Sequence, residues 1–291
     1  MSLMAVEGNL KVRHLKSHLM LSLCAGGALV AIASLGLVLF FLSKNGLPYL
    51  KPQLFTKMPD NLDVAKGGIA HSITGTLSLL GLASLLSIPL GVMGGIYQVE
   101  GKGKFAFLVR FLTDVLGGIP SIVIGIFVYA LWVYPVSQAH PGQGFSGYAG
   151  GFALGIMMIP LVMRVTEEML RLVPQALYEA ALALGAPRWK TMLGVVLPAA
   201  RAGIITGIML ALARVAGETA PLLFTILGNE FRGPLDGPID ALPLRLYRYA
   251  TNADVEQNKI AWATALVLIL MILCLSIVAR LATRSRMQED K

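Results

Sequence analysis

Six apolar runs, at about 19–42, 69–97, 106–134, 148–163, 202–228 and 260–280, alternate with more polar connections along the chain. Most approach or exceed the roughly 20 residues that a helix needs to cross a bilayer. Backbone groups in lipid must bond within their own segment, which leaves helices for runs of this length. The pattern predicts an all-α, polytopic membrane helix bundle of six transmembrane helices. The first run follows Lys11, Arg13 and Lys16, and Ala31-x-Ala33 imitates a cleavage site. The run continues past that site and is too long for a signal peptide, so it predicts a retained anchor over 19–43. The rest divides into polar tails at 1–18 and 283–291 and a core over 68–282, which encloses a long charged connection at 165–200.

Composition agrees. Of 291 residues, 56% are hydrophobic and 14% charged, and the mean hydropathy is +0.71, well outside the range of soluble domains. Net charge is +8, but the basic residues sit at the ends of apolar runs, so nucleic acid is not an expected partner and membrane lipid is. Counted in alternate connections, Lys and Arg number fifteen on the side holding both termini and eight on the other. That asymmetry predicts a multi-pass membrane protein with both termini in the cytosol. Cys24 and Cys274 lie inside the first and last runs as small apolar residues, so neither a disulfide framework nor a metal cluster is expected. Gly101-Lys-Gly-Lys104 lacks the spacing of a phosphate-cradling loop, and no other stretch has it. The chain is therefore expected to bind no cofactor and to hydrolyse no nucleotide itself.

The long charged connection reads as a knob. Pro174 suits a helix start, Gln175 to Leu184 are good helix formers, and Gly185 suits a left-handed helix end. Pro187 is expected to start a second short helix that Pro198 stops. Leu177, Ala181 and Leu184 fall at i, i+4 and i+7, an apolar face for a groove on a partner.

Polar groups at membrane depth are expensive and mark function or packing. Arg214 and Glu218 lie i and i+4 within the fifth run, where they can pair; a guanidinium there can also hold an oxyanion on its planar fork. The third run holds Asp114 and then Gly117-Gly118-Ile-Pro120-Ser121, a break that either lines a pathway or kinks a helix. His71 reads as a boundary residue and His140 as a solvated loop residue. Leu242 to Tyr249 is amphipathic and reads as a helix on the membrane surface, as part of an outer loop on which a partner protein lands, or as both.

Two stretches carry a family resemblance. Glu179-Ala180-Ala181, three residues, Gly185, nine residues, Val195, one residue, Leu197-Pro198 resembles the coupling loop of permeases in binding-protein-dependent ATP-binding-cassette (ABC) importers. Arg214-Val-Ala-Gly-Glu218-Thr219-Ala-Pro221-Leu-Leu-Phe-Thr225 is similar to the signature of the A-type permease subunits (PstA) of phosphate-specific ABC importers. The likeness covers roughly 70–280. It implies the type I importer permease (MetI-like) fold and translocation of inorganic phosphate. It also implies three partners: a C-type sister permease, a dimer of ABC ATPases that carries the ATP and Mg, and an extracytoplasmic phosphate-binding protein. The resemblance places Arg214, Glu218 and Thr219 in the substrate path, with Gly118, Pro120 and Ser121 at its bend, and makes Glu179, Ala180, Ala181 and Gly185 the ATPase-coupling loop. Import of another oxyanion, sulfate or molybdate, is the alternative. An intramembrane enzyme would need a nucleophile, a base or a metal cluster at depth, and a scaffold would need no charged pair there.

Overall fold

The computed structural model describes the backbone of residues 3–60 and 67–289, and the side chains of Arg13, 16–60 and 67–278. Lys11, Lys66, Arg280, Arg284, Arg286 and Lys291, used above to orient the chain, lie outside those side chains. The described residues hold thirteen α-helices and no strand: α1 (Leu3–Gly46), α2 (Pro52–Thr56), α3 (Ala70–Glu100), α4 (Lys104–Gly118), α5 (Ser121–Val128), α6 (Tyr134–Ala139), α7 (Gly147–Arg171), α8 (Gln175–Ala183), α9 (Arg188–Thr191), α10 (Leu197–Ala216), α11 (Ala220–Thr225), α12 (Leu242–Thr251) and α13 (Val255–Glu289). Six stretches are long and apolar enough to cross a membrane, at Lys16–Tyr49, Ala70–Glu100, Ser121–Ala139, Gly147–Arg171, Arg188–Ala216 and Val255–Val278.

Small residues build the bundle's centre. A β-carbon on Gly91 would stand 2.6 Å from Val162 Cβ, and one on Gly95 2.6 Å from Thr166 Cβ. In return Gly151 and Gly155 of α7 receive Leu82 and Leu86 of α3. With no hydrophobic drive between helices in lipid, such close approach supplies the attraction through dispersion. Helix α10 joins α7 the same way, Gly203 taking Met169 and Gly207 taking Val165. Helix α1 lies on α13 at the edge, where Gly46 meets the carbonyl of Trp262. From residue 16 to 41 its side chains are exposed.

Three expected boundaries move, each at a proline. The run 106–134 is two helices: Ile119 is extended (φ −72°, ψ 130°), as a residue before proline prefers, so α4 ends before Pro120 and α5 begins after it. The run 202–228 is likewise interrupted. Pro221 has no N–H for the carbonyl of Gly217 and its ring clashes with a helical turn there, so α10 ends at Ala216 and α11 starts at Ala220. Pro198, by contrast, does not stop the second helix of the knob. A wider π turn over Met192–Val196 carries α9 into α10, with Pro198 within the first two residues of α10. The wide turn absorbs the missing bond.

Candidate functional site

Helices α4, α7 and α10 enclose an open cavity of about 630 Å³. Its wall takes Thr113, Asp114, Gly117 and Gly118 from α4, Pro160, Leu161, Arg164 and Val165 from α7, and Gly207, Leu210, Ala211 and Arg214 from α10. Glycines and proline keep the wall open, and the charge is concentrated on two arginines and one carboxylate. A polar knot fixes α4 beside the cavity: Gln98 Nε2 of α3 donates to Thr113 Oγ1 at 2.8 Å and contacts Met163 Sδ of α7 at 3.1 Å. Arg110 Nη2 donates to the carbonyl of Gln98 at 2.9 Å.

Arg214 is exposed to this cavity. Its expected partner is elsewhere: with α10 ended at Ala216, Glu218 sits in the break before α11, and its N–H bonds back to the carbonyl of Val215 at 3.1 Å. Among the described residues neither Arg214 nor Glu218 has a side-chain hydrogen bond or ion pair. The predicted pair is thus corrected: i, i+4 geometry needs a continuous helix, and Pro221 prevents one. Arg164, which sequence reasoning left in a connection, belongs to α7 and bonds Asp114 Oδ1 through Nη1 at 2.6 Å. Of the residues expected in the path, Arg214 and Gly118 reach the cavity wall, while Glu218, Thr219, Pro120 and Ser121 lie outside it.

At the end of the bundle formed by α8 and α9, the knob is built as expected. Gly185 takes φ +82°; its N–H reaches the carbonyl of Leu182 at 2.9 Å and that of Ala186 reaches Ala181 at 3.2 Å, the double bond that closes a helix on a left-handed residue. The face differs from expectation. Ala181 is turned inward and buried, whereas Leu184, just past the helix, is 89% exposed, with Leu177 and Trp189 also open. Glu179, on the exposed side with Ala180, accepts from Gln175 Nε2 at 2.8 Å. Tyr178 holds the knob to α3 by donating to Glu100 Oε2 at 3.3 Å. Burial and then this carboxylate push its hydroxyl's pKa upward.

At the opposite end lies a network that the sequence did not reveal. Helix α12 is not a surface helix: Leu242, Pro243, Leu244 and Arg245 are buried against the bundle. Arg245 Nε donates to Asp240 Oδ2 at 2.8 Å, Ser72 Oγ donates to the same oxygen at 2.5 Å, and Arg245 Nη2 bonds His71 Nε2 at 2.6 Å and the carbonyl of Asn229 at 3.1 Å. Arg245 also lies over the ring of Tyr249, 5.0 Å from its centroid. His71 is 3% exposed and an integral member, so it is no boundary residue. Burial pushes the Asp240 carboxyl up, but His71, whose Nε2 is 3.2 Å from Oδ2, the Arg245 charge and the Ser72 bond outweigh it and hold the group below the ordinary carboxylate range. The network pins the 226–241 loop onto α3, where Gly75 leaves room for the carbonyl of Asp240.

The model of the family described as "Binding-protein-dependent transport system inner membrane component" matches residues 87–287. The chain is 41% identical over 283 residues to the phosphate transport system permease protein PstA of Haemophilus influenzae, covering 96% of this chain and 98% of that one. It is 41% identical over 274 residues to the PstA of Pasteurella multocida, covering 92% and 95%. The chain belongs to this permease family, among its PstA-type members. In fold, the permease resembles the inward-facing MetNI methionine ABC transporter, with a TM-score of 0.55 at 18% identity over 75% of this chain and 94% of that one. The MetI-like architecture expected from the sequence is therefore the fold found. The permease carries, within this fold, one open cationic cavity, one closed ionic network and one protruding knob. The cavity and the network each join residues far apart in sequence, which the bundle gathers, whereas the knob is local.

Proposed function

We propose that this permease is the membrane-spanning subunit through which an ATP-driven importer moves inorganic phosphate across the bacterial inner membrane. The observation that carries the reading is Arg214: a guanidinium on a membrane-spanning helix, facing a cavity and without a side-chain partner among the described residues. Arg214 stands in the last turn of α10, and a charged side chain on a membrane-spanning helix that faces a cavity with no fixed partner among the described residues is suited to a transient one. An oxyanion matches its planar fork through charge-assisted hydrogen bonds that replace part of the ion's hydration.

In this reading the α8–α9 end and both termini face the cytosol, and the exposed Leu177, Leu184 and Trp189 beside Glu179, Ala180 and Gly185 meet an ABC ATPase dimer that binds the ATP and Mg. A C-type sister permease completes the path, and an extracytoplasmic phosphate-binding protein delivers the ion at the α12 end. Glu218 and Thr219, in the break above Arg214, guide its approach, and the bend at Gly118, Pro120 and Ser121 lets α4 and α5 move separately. Movement of the knob by the ATPase shifts α10, with which it is continuous through the π turn, and so biases the bundle between two open states.

The test is uptake of radiolabelled orthophosphate by cells carrying Arg214→Gln, with the amount of protein in the membrane measured in parallel. Uptake is expected to collapse at unchanged abundance; normal uptake removes the assigned role. Co-purification supplies the partner test: an ABC ATPase should accompany the permease and be lost when 179–185 is scrambled.

A further inference from the structure

The cavity contains a second arginine that the proposed function leaves unused. Gly207 packs against Val165, which sets the level of α10 on α7. Arg214, seven residues further along α10, therefore stands about 10 Å from the level of Arg164 along the bundle axis at 1.5 Å per residue. The two arginines thus enter one cavity from different levels of the bundle.

Their states differ. Arg214 has no partner among the described residues. Arg164 is engaged twice: Nη1 with Asp114 Oδ1 at 2.6 Å, and Nε with Glu168 Oε1, one turn further along α7, at 3.6 Å. The Arg164 and Asp114 side chains are 61% and 53% exposed, so each is open to exchange from the cavity. Ion pairs in such exposed settings contribute little net stability. A phosphate ion offers the same fork more oxygens and up to twice the charge of a carboxylate. Asp114 sits on α4 only four residues from that helix's end at the Pro120 break, beside Thr113, which the Gln98 bond holds in place.

We propose that Arg164 is a second anion station and that Asp114 is its resident counter-ion. Resting on the reading of Arg214 as the first station, the sequence is an exchange of acceptors with no covalent change. Phosphate leaving Arg214 displaces the Asp114 carboxylate from Arg164, Glu168 steadies Nε meanwhile, and the return of Asp114 expels the ion toward the α8–α9 end. Asp114 thus governs release, and Arg164 is never left without an acceptor.

The test uses the intact importer, purified with its partners in nanodiscs and measured without binding protein. Equilibrium binding of radiolabelled orthophosphate is compared with transport rate after reconstitution. Asp114→Asn is expected to bind phosphate about 3–10-fold more tightly and to transport it more slowly by a similar factor, the pattern of a lost ground-state competitor. Arg164→Gln is expected to weaken binding, and the double variant to behave as Arg164→Gln alone, because Asp114 acts through Arg164. Unchanged affinity in Asp114→Asn, with transport falling only as folded protein falls, overturns the exchange and leaves a structural pair. Arg214→Gln separates the two ideas: if it transports normally the pathway itself is refuted, and if it fails while Asp114→Asn shows no tightening, only the second station is refuted.

Discussion

Among the described residues, Arg245–Asp240 and Arg164–Asp114 are arginine–aspartate pairs of nearly equal length and opposite character. Arg245 and Asp240 meet at 2.8 Å with side chains 1% and 0% exposed; Arg164 and Asp114 meet at 2.6 Å with side chains more than half exposed. Distance alone does not separate them. In the first pair the charges have left water together and are enclosed by Ser72, His71, Asn229 and Tyr249, so removing either partner strands the other. In the second, water or a guest ion can take over either partner. Enclosure makes the α12 network a fastener, and exposure leaves the cavity pair open to exchange.

The largest effect should come from breaking the enclosed pair. Asp240→Asn is expected to destabilise the fold by about 3–5 kcal/mol, because the Arg245 guanidinium stays charged and buried. Thermal unfolding of the purified complex measures it, and a loss below about 1 kcal/mol would contradict the enclosure. Acid gives an independent check. The Asp240 carboxyl is held below its ordinary value of 3.8, so its contribution is complete above that pH and is lost as pH falls through the depressed folded value. Wild-type stability should therefore drop below about pH 4, and Asp240→Asn should lack that component.

Arg214→Gln comes next, and it should move function without moving stability. Loss of one charge-assisted bond to the ion corresponds to about 1.5–3 kcal/mol, or roughly a 10–100-fold fall in phosphate uptake. Its melting temperature should match wild type, since among the described residues Arg214 has no internal bond to lose. A variant that lost uptake only by unfolding would place Arg214 with the fasteners.

Legibility of these regions in the sequence followed from how local their causes are. The six spans could be read because bilayer thickness sets a length that a run of apolar residues either has or lacks, and the Gly185 corner because one residue type answers one backbone need. Hydropathy averages over single prolines, so the interruption at Pro221 vanished inside a long run, whereas the glycines beside Pro120 made that break readable. Arg164 was lost because the apolar run stops at Met163 while the helix continues to Arg171. The signal that could have recovered it is the i, i+4 charge spacing of Arg164 with Glu168 and of Glu167 with Arg171. The Asp240 network was beyond reach: Ser72 and Asp240 are 168 positions apart, and an amphipathic pattern over 242–249 cannot say whether its polar side meets water or a buried carboxylate.

Backbone positions sharpen the contrast from the packing side. Gly207→Ala would drive a methyl into Val165 between α7 and α10, an overpacking expected to cost about 1–3 kcal/mol and to pull the walls of the cavity apart, lowering stability and uptake together. Gly185→Ala is milder. Nothing stands within 4 Å of the added methyl, so only the positive φ is penalised, at about 1–2 kcal/mol. Its defect should appear in ATPase co-purification more than in melting, because the knob lies outside the bundle.

Of the two pairs, the smaller stability effect should belong to the exposed one, and the comparison depends most directly on it. Both Arg164 and Asp114 retain solvent when the other is removed, so no charge is stranded. Glu168 remains beside Arg164 at 3.6 Å, and the Gln98–Thr113 bond continues to hold α4. Asp114→Asn and Arg164→Gln are each expected to change unfolding free energy by no more than about 1 kcal/mol, with a double-mutant coupling in the same small range. A coupling as large as that of Asp240 with Arg245 would mean that the cavity closes over this pair in the assembled importer. Openness to exchange would then be a property of one stage of the transport cycle, and thermal measurements on complexes held with and without nucleotide would find the stage at which it is lost.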